Sequence, residues 1–94
     1  MRGLKDKIVV ITGAAGGIGK ASALRFAEEG ANIVVADFAD GSETVKAVEA
    51  MGRKAIYVKT DVTNIESAQA MVAKAIEVFG RVDVLINNAG ITKD

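Results

Sequence analysis

The sequence has no cysteine and no histidine among its 94 residues. Without cysteine the chain forms no disulfide and offers no thiolate ligand to a metal. The absence of histidine removes the commonest metal ligand and the commonest general base near neutral pH. We therefore expect no metal site and no histidine- or cysteine-based catalysis within these residues.

An excess of charge of one sign and long apolar runs are also lacking. Twelve basic residues balance twelve acidic ones, so no net field attracts nucleic acid or anionic lipid. No apolar run approaches the ~20 residues of a membrane span. Basic residues precede an apolar stretch near the N-terminus, as in a signal peptide, but Asp6 interrupts them and a glycine cluster soon follows. We expect a cytoplasmic protein without nucleic-acid or membrane partners.

Proline is absent too, and glycine, asparagine and aspartate mark the breaks between elements. Half of the residues are hydrophobic and 26% are charged, which is typical of a soluble α/β domain. The apolar runs predict strands at residues 7–12, 32–37, 54–59 and 82–87, and the amphipathic segments predict helices at residues 17–29, 42–51 and 64–79. This alternation predicts a parallel sheet with right-handed crossovers.

Two of the helices carry more detailed signals. Thr63, with Glu66 three residues later, fits a capping box, which predicts Thr63 as the N-cap of the third helix. Gly80 is predicted to end that helix. The inward face of the first helix is predicted to carry Ile18, Ala21, Leu24 and Ala27.

The most informative stretch is the glycine turn, residues 12–19, between the first strand and the first helix. Gly13, Gly17 and Gly19 follow a G-x-x-x-G-x-G spacing. A helix N-terminus presents unpaired N–H groups and a partial positive charge, which together bind a pyrophosphate without a basic side chain. A tight turn that uses its glycines only for packing is the alternative. A phosphate-binding P-loop is excluded, because Ala14 and Ala21 stand where that motif needs Gly and Ser or Thr.

Asp37 ends the second predicted strand, and Phe38 follows it. In a dinucleotide-binding fold, an acid at this point accepts hydrogen bonds from the adenosine ribose hydroxyls, and it repels a 2′-phosphate. No arginine or lysine is near Asp37 along the sequence, and Gly16 stands in the turn, so the pattern predicts NAD rather than NADP. A turn-forming or helix-capping aspartate is the alternative.

Two further motifs follow strands. Asp61 and Val62 come after the third strand, where the carboxylate could bond an adenine amino group while Val62 packs on the ring. An ordinary carboxylate turn before a helix is the alternative. Residues 87–90, Asn-Asn-Ala-Gly, end the fourth strand, where small residues let a flat ligand approach and an Asn pair can tie neighbouring strands. A simple strand-end turn is equally compatible with this motif.

Taken together, these motifs resemble the short-chain dehydrogenase/reductase family, and most closely its 3-oxoacyl-(acyl-carrier-protein) reductase-like members. The resemblance covers the whole chain and implies half of a doubly wound Rossmann fold, with strand order 3-2-1-4 and three helices. It implies that the turn contacts the pyrophosphate, Asp37 the ribose and Asp61 the adenine. The implied cofactor-binding residues are Gly13, Ala15, Gly16, Gly17, Ile18, Gly19, Asp37, Phe38, Asp61, Val62, Asn88, Ala89 and Gly90.

The departure from the family is one of length. Family members are more than twice as long, and their catalytic Asn, Ser and Tyr-x-x-x-Lys all follow the Asn-Asn-Ala-Gly motif. The only tyrosine, Tyr57, lies in a predicted strand with Lys59 two residues on rather than four, so we interpret it as a packing residue. The resemblance implies that the whole protein transfers hydride between NAD(H) and a carbonyl or alcohol, whereas residues 1–94 form a dinucleotide-binding half-domain with no catalytic residue.

An isolated half-domain of this kind would leave the apolar edge of the fourth strand unpaired. The third helix would also cover one sheet face alone. An exposed apolar edge invites pairing with another chain, so we expect a homodimer through the fourth strand or the open face. The alternatives to a catalytically silent NAD-binding half-domain are a self-associating assembly fragment without useful nucleotide binding and an NAD sensor. The substrate is not encoded in these residues.

Overall fold

Four parallel strands form one sheet in the order β3-β2-β1-β4, which confirms the predicted α/β architecture. The structure, a computed structural model, describes residues 2–88. A short 3₁₀ turn, Arg2–Leu4, precedes the sheet. The strands are β1 Ile8–Thr12, β2 Asn32–Asp37, β3 Ala55–Lys59 and β4 Val84–Ile86, and the helices are α1 Gly17–Glu28, α2 Ser42–Ala50 and α3 Ile65–Phe79.

The two central strands are buried on both faces because helices cover both sides of the sheet. Along β1, Val9 and Ile11 pack against α1 and α2, whereas Ile8 and Val10 pack against α3. Successive side chains of a strand point to opposite faces, so an unbroken apolar run fits a strand covered on both sides. The first two helices therefore share one face and α3 alone covers the other, as predicted.

The fourth strand is the short edge of this sheet. It spans Val84–Ile86 instead of the predicted residues 82–87, and Leu85 on its α3 side is 55% exposed. Just before it, the Asp83 carboxylate accepts hydrogen bonds from Ile8 N–H and Arg81 Nε, both at 2.8 Å. The Arg81 bond, followed by the Ile8 bond, lowers the pKa of Asp83 from its ordinary value. The Ile8 bond fastens the start of β4 to the start of β1, and the Arg81 bond holds the carboxylate within its own segment.

The start of α3 differs from the capping-box prediction. Asn64, not Thr63, is the N-cap, and its Oδ1 accepts the Ser67 N–H at 2.9 Å. The Thr63 hydroxyl is engaged elsewhere, because it donates to Asp61 Oδ1 at 2.6 Å. The other end of α3 confirms its prediction: Gly80 takes a left-handed φ of 87°, and its N–H bonds Ile76.

The buried face of α1 agrees with the prediction at Leu24 and Ala27 but differs from it at Ile18 and Ala21. Ile18 is 74% exposed and Ala21 is exposed, while the helix buries Gly19, Ala23 and Ala27. These three residues are four apart and form one stripe along the helix. Because they are small, the helix approaches the sheet closely on that side. No helix within residues 2–88 is long and apolar enough to cross a membrane.

Candidate functional site

The glycine turn links β1 to α1 in a shape that only glycine fits. Gly13 and Gly17 have φ of 69° and 58°, a region that side-chain-bearing residues rarely adopt. Gly19 lies so close to Gly13 that a Cβ on Gly19 would stand 2.0 Å from the Gly13 carbonyl oxygen. The turn is therefore specified by backbone conformation at two positions and by a close approach at a third.

The start of α1 is built to receive an anion. Its N-cap is Gly16, which carries no side chain to satisfy the first N–H groups of the helix. The first turn contains no acidic residue, and residues 16–18 are exposed to solvent. Unpaired N–H groups and the positive end of the helix dipole thus face open space.

Asp37 lies directly against this turn. Its Oδ2 accepts the Ala15 N–H at 2.8 Å, and its Oδ1 accepts the Ala39 N–H at 3.0 Å. Each carboxylate oxygen keeps a second lone pair for another donor. The structure therefore brings together the two sequence motifs expected to hold pyrophosphate and ribose, although they are about 20 residues apart in the chain.

The fold brings a basic residue to the strand position beside Asp37, although none is near it along the sequence. The parallel pairing of β2 with β3 places Lys59 opposite Asp37. The Lys59 ammonium stacks on the ring of Phe38, 4.8 Å from its centroid, and Phe38 itself is largely exposed. One cation therefore stands at the rim of this site, brought there by strand register.

Asp61 forms the carboxylate turn before a helix that was the alternative to an adenine-binding role. Its Oδ1 accepts both the hydroxyl and, at 3.0 Å, the backbone N–H of Thr63. These bonds lower the pKa of Asp61, with the hydroxyl contributing more than the amide, so the group stays an acceptor at neutral pH. Val62 beside it is partly exposed and borders a small hollow of about 140 Å³ with Leu85 and Asn87. The adenine roles of Asp61 and Val62 remain predictions.

The two asparagines after β4 contact two other elements. The Thr12 hydroxyl is 3.1 Å from Asn87 Oδ1, which joins the carboxyl ends of β1 and β4 as the sequence interpretation allowed. The Asn88 side-chain nitrogen lies against Gly19, where a Cβ would approach it to 2.9 Å. Asn88 thus borders the glycine turn. Ala89 and Gly90 lie outside the described residues.

Two supporting residues were not identified as such from the sequence. Thr44 on α2 donates from its hydroxyl to the Ala14 carbonyl at 2.8 Å, and the Tyr57 hydroxyl donates to the Asp37 carbonyl at 3.1 Å. Tyr57 also packs against the core, as expected of a packing residue, and burial, with the charges of Asp40 and Asp37, raises its pKa. The burial of Thr44 could have been predicted, since it lies one helical turn before the buried Val48 on the same face of α2.

Comparison with known proteins gives a consistent result. A model of the short chain dehydrogenase family matches residues 7–94. A protein of Thermotoga maritima named an uncharacterized oxidoreductase is 46% identical over 89 residues, which are 93% of this chain and 35% of that protein. The 3-oxoacyl-(acyl-carrier-protein) reductase of the same organism is 42% identical over 93 residues, covering 97% of this chain and 38% of the enzyme.

Solved structures agree with the sequence relatives. The crystal structure of carveol dehydrogenase from Mycobacterium avium in complex with NAD superposes with a TM-score of 0.88 and 30% identity. The match covers 96% of this chain and 38% of that one. The chain thus spans little more than a third of the length of the proteins it resembles.

Proposed function

The chain belongs to the short chain dehydrogenase family, and on that premise we propose that its described residues bind the adenosine-diphosphate half of NAD(H). The observation that carries the proposal is the 2.8 Å bond from Ala15 N–H to Asp37 Oδ2, because it holds a ribose-binding acid at the edge of an anion-binding turn. In this proposal the N–H groups at the start of α1 bind the pyrophosphate, and the remaining lone pairs of Asp37 accept the ribose hydroxyls.

We further propose a preference for NAD over NADP. The Asp37 carboxylate would repel a 2′-phosphate at the point where it accepts a 2′-hydroxyl. The Lys59 ammonium acts in the opposite sense, but it is stacked on Phe38, whereas Asp37 is bonded to the turn itself. The proposal assigns the ribose to Asp37 itself, so the removal of this acid is the direct test.

For the whole protein we propose hydride transfer between NAD(H) and a carbonyl or alcohol, as the names of its relatives indicate. Residues 1–94 alone are proposed to be a catalytically silent half-domain. Tyr57 supports that view, since it lies inside β3 and its hydroxyl is bonded to a backbone carbonyl of the neighbouring strand. It is thus not presented to a ligand as an acid or base.

Calorimetric titration of the chain with NAD and, separately, with ADP-ribose tests the proposed binding. Similar affinities for the two ligands are expected, because the turn and Asp37 contact only the part of NAD that ADP-ribose shares. A clearly tighter binding of NAD would contradict the restriction to the adenosine-diphosphate half. Absence of binding of either ligand at millimolar concentration would overturn the proposed function.

A self-associating assembly fragment is the second candidate, and an exposed apolar surface favours it. Leu85 on β4, Val62 and Ile65 at the start of α3 are all at least 40% exposed and lie on the same face of the sheet. We propose that two copies associate through β4 or this open face, since an apolar strand at a sheet edge readily pairs with another chain. Nucleotide binding without self-association would favour the nucleotide-binding half-domain. Self-association without nucleotide binding would favour the assembly fragment.

A further inference from the structure

Thr44 lies in the first turn of α2, and its hydroxyl bonds outside that helix. A threonine hydroxyl further along a helix can bond a carbonyl of the same helix, one turn back. The Thr44 hydroxyl instead leaves α2 and donates to the carbonyl of Ala14, 30 residues away, at 2.8 Å. Thr44 and Ala14 are both fully buried, so water cannot replace this bond.

The acceptor belongs to the peptide group that also holds Asp37. In a trans peptide, the carbonyl of one residue and the N–H of the next point in opposite directions from one rigid plane. The Ala14 carbonyl accepts from Thr44, and the N–H of Ala15, on the other side of the same plane, donates to Asp37 Oδ2 at 2.8 Å. One peptide plane is thus fixed at both ends, by a hydroxyl behind it and by a carboxylate in front of it.

The geometry points to Thr44 as a positioning residue for dinucleotide binding, acting through the Ala14–Ala15 peptide on Asp37. This inference rests on the proposed function and assigns to α2 a part in the site. If the Thr44 hydroxyl is removed, the peptide plane loses the bond that orients it, and the Ala14 carbonyl is left buried without its partner. The Ala15 N–H then no longer points steadily at Asp37, and the acid loses the bond that holds it beside the turn.

Three variants separate the hydroxyl from the shape of the side chain and from general stability. Thr44→Val keeps the shape and removes the hydroxyl, and Thr44→Ser keeps the hydroxyl. Thr60→Val is the matched control, because Thr60 is also buried and its hydroxyl donates to the Val58 carbonyl at 2.8 Å. Only the backbone N–H of Thr60, which the substitution keeps, contacts Asp37. If the valine variant does not fold, Thr44→Ala against Thr44→Ser makes the same comparison.

The first readout needs no ligand. Amide hydrogen exchange of Ala15, measured by NMR, is expected to be about tenfold faster in Thr44→Val and unchanged in Thr44→Ser and Thr60→Val. Gly13 is the internal reference, because its N–H bonds the Ala36 carbonyl at 2.8 Å rather than the Asp37 carboxylate. Equal Ala15 exchange in Thr44→Val and the wild type would overturn the inference, whether or not the chain binds nucleotide.

The second readout is a double-mutant cycle on NAD affinity. Thr44→Val should weaken NAD binding about tenfold in the wild-type background and less than about twofold in an Asp37→Ala background, because the effect passes through the acid. Thr60→Val should leave the affinity within about twofold of wild type. Equal effects of Thr44→Val in both backgrounds would contradict positioning through Asp37. A wild-type chain that binds no NAD would refute the proposed function, and the exchange experiment would still decide the role of Thr44.

Discussion

The substitution Gly19→Ala tests the geometry of the turn most directly. An alanine Cβ at this position would stand 2.0 Å from the Gly13 carbonyl oxygen and 2.6 Å from its carbon. Both atoms belong to the backbone, and Gly13 is itself held by a 2.8 Å bond from its N–H to the Ala36 carbonyl. Since ordinary contacts of a Cβ begin near 3.4 Å, either α1 or the turn must move by roughly 1.4 Å.

The expected loss of stability follows from two opposing effects. Overpacking of this kind typically costs about 1–3 kcal/mol. Because backbone atoms must move, the cost lies in the upper part of this range, about 2–3 kcal/mol. Replacing glycine by alanine within a helix returns about 0.5–1 kcal/mol. The net destabilisation is therefore about 1–2.5 kcal/mol, which for a domain of this size lowers the melting temperature by roughly 4–20 °C. Binding of NAD should weaken by at least about tenfold, because the displaced atoms carry the N–H groups of the proposed pyrophosphate site.

Thermal unfolding and calorimetric titration measure the two effects, and Gly16→Ala is the control for stability. Gly16 has an extended backbone with φ of −162°, and no atom lies within 4 Å of a Cβ placed on it. Its substitution meets no atom and only exchanges a favourable N-cap residue for alanine, so it should lower the melting temperature by less than Gly19→Ala does, by about 5 °C at most. If Gly19→Ala melts like Gly16→Ala and binds NAD like the wild type, the close approach of α1 to the turn does not limit either property.

Three further predictions concern single side chains. Asp37→Ala should weaken NAD binding by about tenfold or more and raise the ratio of NADP to NAD affinity; an unchanged ratio in parallel titrations would exclude the proposed ribose role. The stability contributed by Asp83 is complete above about pH 3.9 and is lost as the pH falls through its lower folded-state pKa. Asp83→Asn should therefore make the free energy of unfolding, measured with urea between about pH 2 and 6, fall less steeply towards acid pH. A fall as steep as that of wild type would show that the carboxylate bonds of Asp83 do not stabilise the fold. Leu85→Lys should shift the chain towards monomer in sedimentation at micromolar concentration. The control Val78→Lys, at an exposed position of α3, should not change the oligomeric state. A wild-type chain that sediments as a stable monomer would contradict the proposed self-association.

The strands could be predicted because burial on both faces leaves an unmistakable apolar pattern, whereas their order came from the resemblance to a known family. Residues 8–11 and 33–36 are apolar throughout, and each connection between strands is long enough to hold one helix, as a parallel crossover requires. The glycine turn was predictable for a related reason, since Gly13 and Gly17 take a backbone conformation that other residues avoid.

The errors arose where two local signals compete. Thr63 and Asn64 are both good N-cap residues, and the choice was made by Asp61, which takes up the Thr63 hydroxyl. The face of α1 was misjudged because hydropathy gives weight to Ile18, whereas the helix packs through its smallest residue, Gly19. Small residues on a helix are weak hydrophobic signals even when they determine its rotation.

The residues missed around the site are those that depend on contacts between distant segments. Lys59 comes to Asp37 through strand register, and Thr44 comes to Ala14 through the packing of α2 on the turn. Neither relation has a signature in the local sequence, because the spacing between partners reflects the lengths of the intervening elements. Such positioning contacts are visible only once the chain is folded.

The place of β4 in the sheet sets the order in which the site assembles. β1 meets β2 after a loop of about 25 residues but meets β4 only after about 75, so closing the second loop costs about 1 kcal/mol more in chain entropy. The pairing of β1 with β2 brings the turn and Asp37 together early, whereas Asn88 reaches Gly19 only when β4 docks. We therefore expect β4 to join β1 after β2 does, and its amides to exchange with solvent through local opening at a lower free energy than those of β1 and β2.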